Sequence, residues 1–128
     1  GCWMQSASRR RNMDKLKIES TLTTGELERW GTVRQPLSSP ASEVKGVRTV
    51  VDGFESANVG IWECTPGTFR RALFNTEFMH ILGGRCTFTP DGDEPICLQG
   101  GDTFLLAKPV PGVWDVLETV RKVYVVLD

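Results

Sequence analysis

From residue 46 onward the chain is cut into short apolar runs, and that punctuation constrains the fold more than any other feature. VRTVVD, NVGIWEC, TFRRALF, EFMHILG, RCTFT, EPICL, TFLLA, VWDVLE and VRKVYVVL are rich in β-branched and aromatic residues. Between them stand Asp-Gly, Pro-Gly, Asn-Thr, Gly-Gly, Pro-Asp-Gly-Asp and Gly-Gly-Asp. Branched and aromatic side chains suit a half-buried pleated surface, while Gly, Pro, Asn and Asp suit turns. The pattern predicts an all-β antiparallel sandwich or barrel of about nine or ten strands over residues 46–127. No helical segment long enough to cross over between parallel strands interrupts it, which excludes a βαβ fold.

Upstream of this region the texture differs. Residues 1–20 are polar and basic and lack periodicity, as a tail or weak edge strand would. In TLTTGELERWG, Thr23 and Glu26 have capping-box spacing and Gly31 can end a helix, so one short helix is expected over residues 24–30. QPLSSPASE, residues 35–43, reads as a Pro/Ser loop. The expected organisation is an N-terminal part, residues 1–43, packing on a barrel domain, residues 44–128.

Two hairpins can be registered by counting. An Asp91-Gly92 turn pairs positions whose numbers sum to 183, placing Cys86 opposite Cys97; loops of two or four residues both give this register, and a three-residue loop does not. An Asn75-Thr76 turn pairs positions summing to 151. Alternation then puts Arg70, Ala72, Phe74, Glu77, Met79 and Ile81 on one face, with Arg71, Leu73, Phe78 and His80 on the other.

Charge removes several classes of function. With 15 basic against 16 acidic residues, the chain lacks the clustered cationic excess that binds nucleic acid; Arg9-Arg10-Arg11 is the sole basic block. The apolar runs are too short to span a membrane, and the polar NMDKLKIES follows SRRRN where a signal segment would need an apolar stretch. Four cysteines, at positions 2, 64, 86 and 97, form no CxxC pair and no zinc spacing. Reduced thiols in a cytoplasmic protein are expected, with Cys86 and Cys97 as small core residues in preference to a cross-strand disulfide.

The stretch E-x-x-x-I-L-x-G from Glu77 to Gly84, followed by Gly101-Asp102 and an apolar run, resembles the two conserved blocks of the cupin superfamily. More narrowly, GIWECTPGTFR, EFMHILGGR, GGDTFLLA and GVWDVLETVRKVYVVL are similar to small single-domain cupins of the (S)-ureidoglycine aminohydrolase cupin-domain family. The resemblance covers roughly residues 44–127 and implies a jelly-roll β-barrel, or double-stranded β-helix, often paired as a homodimer.

Metal-binding cupins hold their ion with two histidines and a glutamate from the first block and a histidine from the second. Aligned on those blocks, the histidine positions hold Arg70, Ala72 and Gly112, and only Glu77 matches. A guanidinium has no lone pair to donate and its charge repels a cation, so no metal and no other cofactor is expected. His80, the chain's one histidine, falls by parity on the face away from Glu77, as an outer-face or interface residue.

An interior Arg70–Glu77 pair could be purely structural, or could exchange for a ligand carboxylate or amide. Trp62 and Trp114, the latter two residues past the second-block histidine position, would add flat apolar walls, although tryptophans are more often core residues than ligand platforms. Trp3 and Trp30 receive no role. The expected function is a metal-free barrel that binds a small polar metabolite through Arg70, Glu77, Trp62 and Trp114. One alternative is an enzyme of ureide or amide metabolism with Glu77 as its acid–base group. A second is a structural or regulatory dimer whose barrel is filled by Phe74, Met79 and Ile81.

Overall fold

The structure is a computed structural model that describes residues 17–19, 24–107 and 109–127. Cys2, Trp3, the Arg9–Arg11 block and Thr23 lie outside the described residues. Eight strands form the described body: β1 (Glu28–Thr32), β2 (Glu43–Thr49), β3 (Asn58–Cys64), β4 (Gly67–Arg70), β5 (Thr76–Pro90), β6 (Ile96–Gln99), β7 (Thr103–Leu106) and β8 (Gly112–Leu127).

The expected helix over residues 24–30 does not form. Thr24–Glu26 make a single 3-10 turn, and the chain then enters β1, which pairs antiparallel with β2. A helix of two turns is marginal on its own, and the free edge of β2 offers a ladder of backbone hydrogen bonds instead. Local capping spacing yields to that tertiary pairing.

Strands β5 and β8 are the spine, paired from Thr76↔Leu127 to Pro90↔Gly112. Each joins two runs that the sequence pattern separates. The Gly83-Gly84 pair, read as a turn, is a bulge inside β5, with the register shifting between Ile81 and Cys86. Gly84 sits at φ 86, and a Cβ there would stand 2.1 Å from the carbonyl oxygen of Thr119, so the bend in β5 packs directly on the β8 backbone. The bend lets one ribbon serve two sheets. Its open end pairs with β3 on one side and β7 on the other, with β2 and β1 beyond β3. Its turned end pairs with β4 and β6. The result is an antiparallel jelly-roll barrel. Met79, Ile81 and Val120 from one sheet meet Phe69, Cys86, Phe88, Trp114 and Val116 from the other in a continuous core.

Both predicted hairpin registers change. Asp93 N donates to Pro90 O at 3.0 Å, and the β5–β6 pairing is Thr87↔Cys97 and Cys86↔Leu98. This is the odd-numbered loop that displaces the pairing by one residue. Cys86 is therefore buried while Cys97 is exposed, and Cys64, Cys86 and Cys97 are free thiols.

The Asn75-Thr76 hairpin is absent. Strand β4 pairs with β8 rather than β5, and the chain leaves the sheet after Arg70↔Val113. Residues 71–75 are an irregular connection, so alternation does not carry from Arg70 to Glu77. Counting from Phe69, opposite Trp114 in the core, the next residue to turn inward is Arg71, just past the end of β4 and only 4% exposed. The two arginines exchange their expected faces.

Candidate functional site

The two sheets do not close completely on each other. A cavity of about 320 Å³ opens between them, with Trp30, Trp62, Trp114, Arg71, Glu77 and Lys122 among its lining residues. Strand alternation supplies most of the lining. On β3, Asn58 and Trp62 point inward; on β8, so do Trp114, Lys122 and Tyr124; on β5, Glu77 does.

The polar centre is Lys122. It lies opposite Ile81 across the β5–β8 ladder and reaches Glu77, where Nζ donates to Oε2 at 2.6 Å. The two side chains are only 9% and 6% exposed. Nζ also stands 4.4 Å from the ring centroid of Trp62 and 5.5 Å from that of Trp114. The ammonium therefore sits between two indoles, whose faces attract a cation. Tyr124 Oη donates to Asn58 Oδ1 at 3.1 Å, and burial pushes the phenol up to about 12.

Arg71 is the second buried cation. Its Nη1 donates to Val110 O at 3.2 Å and its Nη2 to Asn75 O at 2.7 Å, while Nε has no hydrogen-bond partner among the described residues. Burial lowers its pKa from the ordinary guanidinium value, and the charge of Glu77 opposes that shift. These bonds also fix the irregular connection that displaced the expected hairpin.

The residues singled out from the sequence fall as follows. Glu77, Trp62 and Trp114 line the cavity. Arg70 reaches only its rim and makes no ion pair with Glu77; its Nη1 and Nη2 bind both oxygens of Asp91 at 2.9 and 2.8 Å. Phe74 is exposed, while Met79 and Ile81 sit in the core, so these three do not seal the interior together. His80 shares a 2.9 Å hydrogen bond between Nδ1 and Thr103 Oγ1, away from the cavity. The sequence pattern gives no role to Lys122 or Trp30 and puts Arg71 on the face away from Glu77, whereas all three line the cavity. Counting alternate residues from Trp114 along β8 leads to Lys122. Trp30 comes from a bulge in β1, where the register shifts between Arg29 and Gly31.

The residues present do not fit a cupin metal. Among the described residues, no group of three or more His, Cys, Asp or Glu side chains could hold an ion. Glu77 is already engaged by an ammonium. At Gly112, the second-block histidine position, a Cβ would stand 2.6 Å from Phe88 Cζ and 2.5 Å from Thr89 O. No side chain enters the barrel from there without displacing Phe88.

With this geometry established, comparison with known proteins identifies the family. The EutQ-like cupin domain matches residues 52–124, more than half of the chain. The chain belongs to the EutQ-like cupin family. A DUF861-family protein of unknown function from Pseudomonas syringae pv. tomato superposes with a TM-score of 0.73 at 21% identity, over 85% of this chain and 46% of that one. The EutQ protein of Clostridium difficile superposes with a TM-score of 0.59 at 21% identity, over 69% of this chain and 64% of that one. At such identities the likeness is one of fold, and the chain spans about half to two thirds of these structures. No curated protein matches it. None of the described helices is long and apolar enough to cross a membrane.

Proposed function

We propose that this cupin barrel binds a small polar metabolite, without a metal ion, in the cavity around Lys122. The observation that carries the reading is the cavity itself: about 320 Å³ of space remains, walled by indoles, with the buried charges of Arg71, Glu77 and Lys122 on its lining. Small-ligand sites have this size and composition, a mostly apolar enclosure with a few convergent polar groups. A barrel serving only as structure would gain by filling that space, since packing to crystal-like density is the usual state of protein interiors. The test is extraction of freshly purified protein followed by mass spectrometry, with a Trp62→Ala variant as control. A near-stoichiometric small molecule released by the wild type and depleted in the variant is expected. An empty extract, together with no thermal shift from a broad metabolite panel, would overturn the reading.

A ureide or amide enzyme related to (S)-ureidoglycine aminohydrolase is the alternative that the buried Glu77 favours, because it sets a carboxylate and an ammonium 2.6 Å apart on the cavity lining, a geometry that general acid–base chemistry can use. Such an enzyme would have to work with the Glu77–Lys122 pair as its acid–base unit. Turnover of ureidoglycine or allantoate-type ureides that is abolished in Glu77→Gln would support it.

We further propose a homodimer in a reducing compartment, the cytoplasm. The three free thiols support the compartment. On the outer face, Phe78 pairs across the ladders with Leu105 and Val125, and Phe78, Leu105 and Leu127 are 47%, 57% and 47% exposed. A contiguous apolar face of this kind suits a self-complementary contact between two copies.

A further inference from the structure

We infer that the cavity selects a small, flat-bodied carboxylate carrying one negative charge. This inference rests on the reading of the cavity as a ligand site and adds the chemical class of the ligand. The first argument is charge. The buried charged lining consists of Arg71 and Lys122 against Glu77, two cations and one anion, with Arg34 exposed to solvent at the mouth and Tyr124 neutral, so the buried part of the cavity carries one uncompensated positive charge. Arg70, at the rim, does not alter this, because Asp91 holds both of its terminal nitrogens. A buried charge without a partner is costly, and a monoanion entering the cavity removes that cost.

The second argument is a vacant donor. Arg71 is among the most buried polar residues, yet its Nε has no partner among the described residues, while both terminal nitrogens are tied to backbone carbonyls. Those two bonds hold the guanidinium plane in place. The guanidinium spends two of its five N–H groups on these carbonyls, and Arg71 lines the cavity. The planar fork therefore keeps hydrogens suited to a carboxylate oxygen, and such charge-assisted bonds are roughly twice as strong as neutral ones. A neutral amide could use the same donor through its carbonyl, but it would leave the excess charge unpaired. An ammonium would add a third cation. Charge therefore decides between ligands that hydrogen bonding alone would accept.

The third argument concerns the body of the ligand. Trp30, Trp62 and Trp114 present flat apolar surface, and Trp62 is already stacked beneath the Lys122 ammonium. A planar unsaturated or aromatic carboxylate matches these walls, whereas a compact, fully hydrated anion leaves them exposed to water.

The test compares benzoate, benzamide and benzylammonium, three probes of like size and different charge, by calorimetry and by quenching of tryptophan fluorescence. Benzoate should bind about tenfold or more tighter than benzamide, the ratio expected for roughly one charge-assisted bond, and benzylammonium weaker still. Glu77→Gln should strengthen benzoate relative to benzamide by raising the excess charge, and Arg71→Met should abolish the preference. If Arg71→Met fails to fold, the wild-type ranking and Glu77→Gln still decide. Benzamide or benzylammonium binding as well as benzoate would overturn the carboxylate assignment, as would a Glu77→Gln variant with an unchanged ratio. Silence from all three probes would overturn it too. The cavity reading falls only if the extraction is also empty, so the two failures are told apart.

Discussion

Removing Lys122 should be among the most damaging single changes to the stability of this barrel. The Glu77–Lys122 contact is 2.6 Å long, and both side chains are more than nine-tenths buried. In Lys122→Met the carboxylate keeps its desolvation and loses its partner. Breaking one side of such a pair typically costs about 3–5 kcal/mol. Loss of the stacking on Trp62, at 4.4 Å, adds about 0.5–2 kcal/mol, partly recovered by the new methyl group. Total stability for a domain is about 5–15 kcal/mol, so a large share of it is at stake. With a urea m-value of about 1–3 kcal/mol/M, the midpoint should fall by about 1–5 M.

The readout is urea unfolding followed by tryptophan fluorescence, with three comparisons. Glu77→Gln alone should also destabilise the protein, because it leaves the ammonium unpaired. The Glu77→Gln, Lys122→Met double variant should lose less than the sum of its singles by about 0.5–3 kcal/mol, the coupling found for residues in direct contact. Arg70→Ala should cost little, since its bond to Asp91 lies in solvent, whereas Arg71→Ala should be severe. That order reverses the one expected if Arg70 and Glu77 shared an interior face. Equal, small losses for Lys122→Met and Arg70→Ala, with strict additivity toward Glu77→Gln, would refute the account.

Stability should decline under alkaline conditions. Burial pushes the thiols of Cys64 and Cys86 up to about 12 and about 11 from an ordinary 9.0, and the Tyr124 phenol up to about 12 from 10.0. The folded state holds these protons more tightly than the unfolded chain, so the contribution is complete below pH 9 and drains away between roughly pH 9 and 12. Cys64→Ser and Tyr124→Phe should shift that alkaline limb; a flat profile to pH 12 would contradict the shifts. With iodoacetamide at pH 8, Cys97 should react quickly while Cys64 and Cys86 stay protected, and equal rates by mass spectrometry would contradict their burial. Elemental analysis should find no stoichiometric Mn, Fe, Ni or Zn on Glu77. Light scattering should give a dimer mass that Phe78→Glu reduces to a monomer, and a monomeric wild type would remove the proposed interface.

How far the site could be read ahead of the structure depended on the reach of strand alternation. Inside a strand it held: Trp114 lies on the inward face of β8, and Glu77, Met79 and Ile81 share one face of β5. It failed wherever it was carried through a turn of assumed length. One residue more in the β5–β6 loop moved Cys97 out to solvent, and the connection over residues 71–75 exchanged Arg70 with Arg71. A hairpin assignment fixes parity only if the turn exists, and no local signal distinguishes a turn from an irregular connection anchored by an arginine. The Gly83-Gly84 pair shows the same limit, since glycine marks a bulge as readily as a turn. Lys122 escaped notice for another reason. Lysine is almost never fully buried, so composition argues against it even where parity points inward.

The absence of histidines at residues 70, 72 and 112 and the presence of Lys122 are two sides of one electrostatic requirement. Glu77 projects into a nearly dry interior, where an unpaired carboxylate would have to protonate or unfold its surroundings. In a metal-binding barrel the ion supplies the compensating charge. Here Arg70 has left for Asp91 and Phe88 occupies the space beside Gly112, so compensation has to come from the opposite strand. Lys122 supplies it on a four-carbon tether, and two indoles hold the ammonium where the carboxylate needs it. A tethered cation differs from a bound one in a consequential way. It cannot be lost to a chelator, it has no open coordination position for a substrate oxygen, and it can donate or accept a proton. The proposed recognition would therefore run through hydrogen bonds and charge balance at Arg71, Lys122 and Glu77.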